Sequence, residues 1–180
     1  MQKRSIDELN RPTVEAFKTQ EKLPVALVLD NVRSLHNVGS AFRTSDAFAV
    51  QQLVLCGITG TPPHREIEKT ALGATESVVW HYVADTTEAI RNLRAEGYTI
   101  VAVEQTKGST LLHRFVPDPG TRYALVFGNE VHGVSDDVLK LADLCLEIPQ
   151  SGTKHSLNIA VSVGIVLWTF YRPHVERLPH

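Results

Sequence analysis

The stretch Ile148–Trp168, IPQSGTKHSLNIAVSVGIVLW, joins a strand end, a glycine-containing loop and a strongly apolar helix with no spacer between them. Pro149 has no N–H to continue a ladder, Gly152 admits backbone conformations that a side chain hinders, and Ser156 is placed to cap the helix. From Leu157 to Phe170 only Asn158, Ser162, Trp168 and Thr169 carry polar atoms, so no polar stripe exists to face water. The run is shorter than the ~20 residues that span a bilayer. Ala160 and Gly164, one turn apart, leave room for another helix to approach. The pattern predicts a core helix that also lies in a dimer interface.

Outward from this stretch the chain alternates between two periodicities. VALVLD (Val25–Asp30), QQLVLCG (Gln51–Gly57), SVVWHY (Ser77–Tyr82), TIVAVEQ (Thr99–Gln105), a run opening at Tyr123 and DLCLEIP (Asp143–Pro149) read as buried strands. Between them lie a helix capped by Asn37, a short one from Glu66 to Leu72 ended by Gly73, an amphipathic one from Thr86 to Glu96, and a short one after Ser135. The segment from Thr106 to Gly120 has the glycine and proline content of a surface connection. Strands alternating with helices at this spacing predict an α/β fold with a mostly parallel sheet. Ahead of it, Ser5 and Glu8 have capping-box spacing and open a helical extension over residues 1–22, reaching about Gln20 and restricted at Pro12. Its Lys3, Arg4, Arg11, Lys18 and Lys22 are offset by four acids, which reads as a solvated face before an RNA arm.

At 180 residues, 43% hydrophobic and 21% charged, the chain can build one α/β core. The N-terminus has no apolar signal region and no segment is long enough to cross a membrane, which predicts a cytoplasmic protein. A net charge of −2 gives no nucleic-acid signature, so an RNA partner needs a local basic patch. Cys56 and Cys145 sit singly in apolar runs and read as reduced core residues. Eight scattered histidines without HExxH give no zinc pattern, so no metal is expected.

Three loops hold the candidate chemistry. Asn37 is either an ordinary cap or a group aimed at a ligand from the carboxyl end of the first strand, and Arg43 either a surface charge or part of the same site. His64, Arg65 and Lys69 form a small cationic group, for which phosphate contact and plain solvation are both open. In FGNEVHG, Gly128 and Gly133 allow close backbone approach to a ligand while Glu130 repels a phosphate, so a cationic or ribosyl ligand suits it better.

Asn37 with Arg43 in NVGSAFR, Gly128 with Glu130 in FGNEVHG, and Ile148 with Ser156 and Asn158 in IPQSGTKHSLN stand in this order along the chain. Their order and spacing resemble the three motifs of the TrmH (SpoU) branch of the SPOUT RNA methyltransferases, from about Val25 to Tyr171. The resemblance implies a Rossmann-like domain over residues 23–173, a C-terminal trefoil knot, a short tail over 174–180, and a homodimer. It implies S-adenosylmethionine as cofactor, held by Glu104, Gly128, Ile148, Ser156 and Leu157. It further implies methyl transfer to a ribose 2′-hydroxyl of RNA, with transfer RNA the first choice and ribosomal RNA the second. A non-catalytic RNA-binding module of the same fold is the alternative from another class. Asn37, Arg43, Glu130, Ser156 and Asn158 take the places of the family's catalytic residues, with Asn37 and Asn158 orienting Arg43 and the ribose. A guanidinium keeps its proton, so Arg43 is expected to polarise the hydroxyl and clamp a phosphate before it acts as base. The resemblance also extends to KTALGA (Lys69–Ala74), which favours RNA contact by His64, Arg65 and Lys69. Unlike the better-known family plan, the sequence shows no separate RNA-binding domain before the first strand.

Overall fold

The computed structural model describes residues 2–5 and 7–175. Among them, seven strands make one sheet: β1 (Leu23–Asp30), β2 (Val50–Cys56), β3 (Trp80–Val83), β4 (Tyr98–Val103), β5 (Thr110–Leu111), β6 (Arg122–Phe127) and β7 (Leu144–Glu147). Their order is β3-β2-β1-β6-β4-β7-β5, and every pairing is parallel.

A parallel sheet must be covered on both faces, and alternation along each strand supplies two unlike surfaces. Leu27, Leu29, Leu53, Leu55 and Leu125 face α2 (Leu35–Ala47) and α7 (Ile159–Val175), which bury Phe42, Val163, Leu167 and Phe170 against them. The opposite face carries the smaller Ala26, Val28, Ala102 and Ala124. There α5 (Thr86–Ala95) packs Ala89, Ile90 and Leu93, and α6 (Asp136–Leu139) packs Val138. Each fully buried leucine contributes about 1.5–3 kcal/mol.

Both helices of the motif regions begin elsewhere than the sequence suggests. Ser34 caps α2, its Oγ accepting from the Asn37 amide at 3.3 Å, so Asn37 lies inside the first turn and its side chain is free for another partner. At the start of α7 it is Asn158, not Ser156, that caps, with Oδ1 accepting from the Ala160 amide at 2.8 Å. Ser156 stands three residues before the helix, too far to reach its first free amides. Of the apolar surface of α7, Val163, Val166, Leu167 and Phe170 face the sheet, whereas Val161, Ile165 and Trp168 remain exposed.

Two expectations change for local reasons. The Ser5 and Glu8 box closes in both directions, at 2.6 and 3.2 Å, but on a single 3₁₀ turn, Asp7–Leu9; Ile6 lies outside the described residues. Beyond Pro12 a separate helix, α1 (Val14–Thr19), starts from Thr13 and docks through Phe17. The predicted surface connection contains β5, which pairs with Leu146 and Glu147 of β7. On the α2 side, α3 (Arg65–Ala71) ends at Leu72 and Gly73, both left-handed, before α4 (Ala74–Ser77). Cys56 and Cys145 are free thiols. Among the described residues no helix is long and apolar enough to cross a membrane. Of the tail, residues 176–180 lie outside the described residues.

Candidate functional site

Open α/β sheets place ligands beyond the carboxyl ends of their strands. Here the ends of β4, β6 and β7 and the segment leading into α7 enclose a cavity of about 570 Å³. The loop after β6 shapes it. A Cβ on Gly128 would lie 2.0 Å from the Gly133 carbonyl carbon, and Gly133, at φ +68°, would place one 2.1 Å from Oε2 of Glu104. Both positions therefore exclude a side chain, and the backbone itself forms the wall. Asn129 and Gly133 exchange two backbone hydrogen bonds of 2.9 Å, and Asn129 Oδ1 accepts from the amides of Val131 (2.8 Å) and His132 (3.2 Å).

Glu130 projects from this loop towards α2. Its carboxylate accepts from the backbone amides of Arg33 and Ser34, each at 2.9 Å, and from Nδ2 of Asn37 at 3.1 Å. Asn37 Oδ1 in turn accepts from Nδ2 of Asn158 at 3.2 Å. An ionised carboxylate can only accept, so Asn37 must turn its NH₂ to Glu130 and its oxygen to Asn158. Asn158 must then present its own NH₂ to Asn37, which leaves its oxygen for the Ala160 amide. Glu130 thus sets the direction of the whole chain. Partial burial pushes the Glu130 pKa up, but the donors from Arg33, Ser34 and Asn37 outweigh it and hold the carboxyl below its ordinary value.

Glu104, Gly128, Ile148, Ser156 and Leu157 all line the cavity, as do Glu130 and Asn158. Glu104 is already engaged, with Oε1 on the Gln105 amide (2.8 Å) and Oε2 on the Val134 amide (3.0 Å). Asn37 joins the site through its hydrogen bonds. Arg43 does not: it lies six residues further along α2, exposed, and makes no hydrogen bond to Asn37, Glu130 or Asn158. His64, Arg65 and Lys69 form a second group on α3, outside the cavity wall. His64 caps that helix through Nδ1, and Lys69 pairs with Glu66 at 2.7 Å. Glu66 also takes Nε2 of His36 at 2.8 Å, a contact between α2 and α3 that sequence reasoning misses because the partners are 30 positions apart. Asn129 is missed as well, although its place between Gly128 and Glu130 is a signal for an Asx turn. Among the described residues no group of three or more metal-binding side chains gathers.

The model of the SpoU rRNA Methylase family matches residues 24–168. The 23S rRNA (guanosine-2'-O-)-methyltransferase RlmB of Neisseria meningitidis serogroup B is 32% identical over 144 residues, 80% of this chain and 56% of the relative. The tRNA (guanosine(18)-2'-O)-methyltransferase of Thermus thermophilus is 28% identical over 169 residues, 94% of this chain and 85% of the relative. The AdoMet bound rRNA methyltransferase from Sinorhizobium meliloti superposes with a TM-score of 0.77 at 28% identity, covering 88% of this chain and 62% of that one. The chain spans somewhat over half the length of the first curated relatives it matches.

Proposed function

The chain belongs to the SpoU rRNA methylase family, and from that premise we propose that it transfers the methyl group of S-adenosylmethionine to a ribose 2′-hydroxyl of RNA. The observation that carries this reading is the chain of hydrogen bonds from Asn158 through Asn37 to Glu130, on the rim of a cavity walled by backbone. The cavity suits the cofactor. Its volume lies within the roughly 300–1,000 Å³ of small-molecule sites, and Leu146, Ile148, Leu157 and Ile159 offer an apolar wall. Glu104 and Glu130 supply negative charge for a cation, and the lack of a Cβ at Gly128 lets the Gly133–Val134 backbone close against it as part of the cavity wall. When bound, the cofactor supplies an electrophilic methyl carbon on a sulfonium.

The chain's own residues then have to place and polarise the hydroxyl, since in-line displacement depends chiefly on positioning. Asn37 and Asn158, fixed in direction by Glu130, orient the ribose, and Ser156 shapes the pocket edge. Arg43, on the exposed face of α2, clamps the neighbouring phosphate and lowers the cost of negative charge on the hydroxyl oxygen. The cationic group His64, Arg65 and Lys69 extends the RNA contact along α3. Transfer RNA is the first substrate choice because the Thermus enzyme is matched over most of its own length, whereas the Neisseria ribosomal RNA enzyme is matched over 56% of its own.

Residues 23–173 form the catalytic domain in this reading, residues 1–22 an extension and the rest a tail, in a cytoplasmic homodimer. The exposed row Val161, Ile165 and Trp168 on α7 supports the dimer. A trefoil knot is proposed for the C-terminal segment, supported by the insertion of β7 between β4 and β5 before α7 returns to α2. Pulling the chain by its ends should stop short of full extension, about 3.3–3.6 Å per residue, by the length held in the knot. Full extension would exclude it.

Methyl-labelled S-adenosylmethionine, the purified protein and separate tRNA and rRNA transcripts test the function. Label should appear in RNA as an alkali-resistant 2′-O-methylated dinucleotide, first in tRNA. Cofactor binding by calorimetry with no label in any RNA would favour the non-catalytic module.

A further inference from the structure

Val134 and Ser135 are neighbours in the chain, yet their amides donate to carboxylates on two different strands. The Val134 N–H meets Oε2 of Glu104 and the Ser135 N–H meets Oδ2 of Asp30, each at 3.0 Å. Those acids stand at the carboxyl ends of β4 and β1, the two strands that flank β6. Asp30 is 1% exposed and lies outside the cavity lining. Its other oxygen accepts from the Thr86 hydroxyl (2.6 Å) and from Nδ2 of Asn31 (2.8 Å). Asn31, at φ +56°, receives Nδ2 of Asn129 on its carbonyl at 2.8 Å. The cavity loop is thus tied to the end of β1 at both its limits, Asn129 and Ser135.

A buried carboxylate is costly unless donors surround it, and three donors on two oxygens is a task for an acceptor without N–H groups. We infer that Asp30 is a positioning residue of the cofactor pocket. It holds the Val134–Ser135 backbone against Glu104, so that Gly133 and Gly128 stand at the spacing the ligand needs. The inference rests on the reading of the cavity as the S-adenosylmethionine site.

Asp30→Asn keeps the shape and turns one acceptor into a donor, which cannot satisfy all three partners. In the cofactor-free protein, hydrogen exchange at the Val134 and Ser135 amides should speed about tenfold or more, with β2 and the middle of α5 unchanged. Calorimetry with S-adenosylmethionine should show about tenfold weaker binding, and KM should rise alike while kcat at saturation stays within about threefold. Ser135→Pro is the second variant: Ser135 has φ −63°, which proline adopts, and the change removes the N–H to Asp30 together with the hydroxyl and sets the ring Cδ against Oδ2 of Asp30, which displaces the carboxylate from this backbone. It should reproduce the same split if Asp30→Asn fails to fold. Wild-type affinity and exchange in a folded variant would overturn the inference. So would losses of affinity and kcat in equal measure with faster exchange throughout, which mark a merely structural residue. Failure of the wild-type protein itself to bind S-adenosylmethionine would instead remove the cofactor reading, and the inference with it.

Discussion

The side-chain amide of Asn158 donates to that of Asn37 at 3.2 Å across 121 positions of sequence, while its oxygen caps α7. One side chain therefore starts the C-terminal helix and completes the polar chain to Glu130. Asn158→Asp separates the two tasks. The cap acceptor remains, and an acid at a helix N-terminus is favourable, but two oxygens now face each other at Asn37. Turnover on tRNA should fall about tenfold or more with little change in melting temperature, whereas Asn158→Ala should also lose about 1 kcal/mol of cap. Full turnover by the Asp variant would show that the link to Asn37 is idle.

Arg43→Ala should abolish methyl transfer and leave S-adenosylmethionine affinity within a few-fold, because Arg43 stands outside the cavity lining. The side chain is exposed, so stability should stay within about 0.5 kcal/mol. Arg43→Lys should restore little, since an ammonium lacks the guanidinium fork. Parallel loss of cofactor binding and activity would refute this division of roles.

The lowered pKa of Glu130 has a definite sign. The folded protein binds this proton less readily than the unfolded chain, so the stabilisation is present above the usual carboxylate pKa of about 4.3 and is lost as pH falls through the lower folded value. An NMR titration of the Glu130 side-chain carboxyl should give a midpoint below that figure. A midpoint above pH 5 would make Glu130 a proton carrier instead of a fixed acceptor.

Burial, with Asp30 and Asp85 nearby, pushes the Cys56 thiol up to about 12, although a Thr86 hydrogen bond opposes this. Burial also raises Cys145. At pH 8 neither should be a thiolate, so a disulfide reagent should label both slowly in the folded protein and at once in denaturant. Rapid stoichiometric labelling of the folded protein would contradict the burial of Cys56.

Placing a charge on the exposed row of α7, as in Ile165→Glu, should convert a dimer into monomers, since an unpaired carboxylate in an apolar contact costs several kcal/mol. Gly164→Glu is a second such variant, because a Cβ there meets nothing within 4 Å in its own subunit. Sedimentation of the wild-type protein as a monomer at micromolar concentration would sink the dimer.

Long apolar runs such as Val25–Asp30 are legible in the sequence because burial on both faces leaves no room for polar residues. The two-residue β5 is not, since its pairing depends wholly on β7. At the site, Asn37, Glu130 and Asn158 are readable as motif residues, but their mutual contacts span most of the chain. Ser34 and Asn37 are both good caps three positions apart, and what decides between them is Glu130, 93 residues away, which accepts from the side-chain Nδ2 of Asn37. Asp30 reads as an ordinary strand end because Thr86 and Ser135, 56 and 105 positions on, give no local sign of it.

The place of β7 between β4 and β5 bears on synthesis from the ribosome. Once Phe127 has emerged, β3, β2, β1 and β6 have all their neighbours and β4 lacks only β7, so the five can pair in that order. β5 emerges before β6 but has no partner except β7, so it must wait unpaired until residues 144–147 appear. A nascent chain stalled just short of Leu144 would hold a five-stranded sheet with the exposed margin of β4 as its open seam, the place where a chaperone or a second nascent chain would first engage.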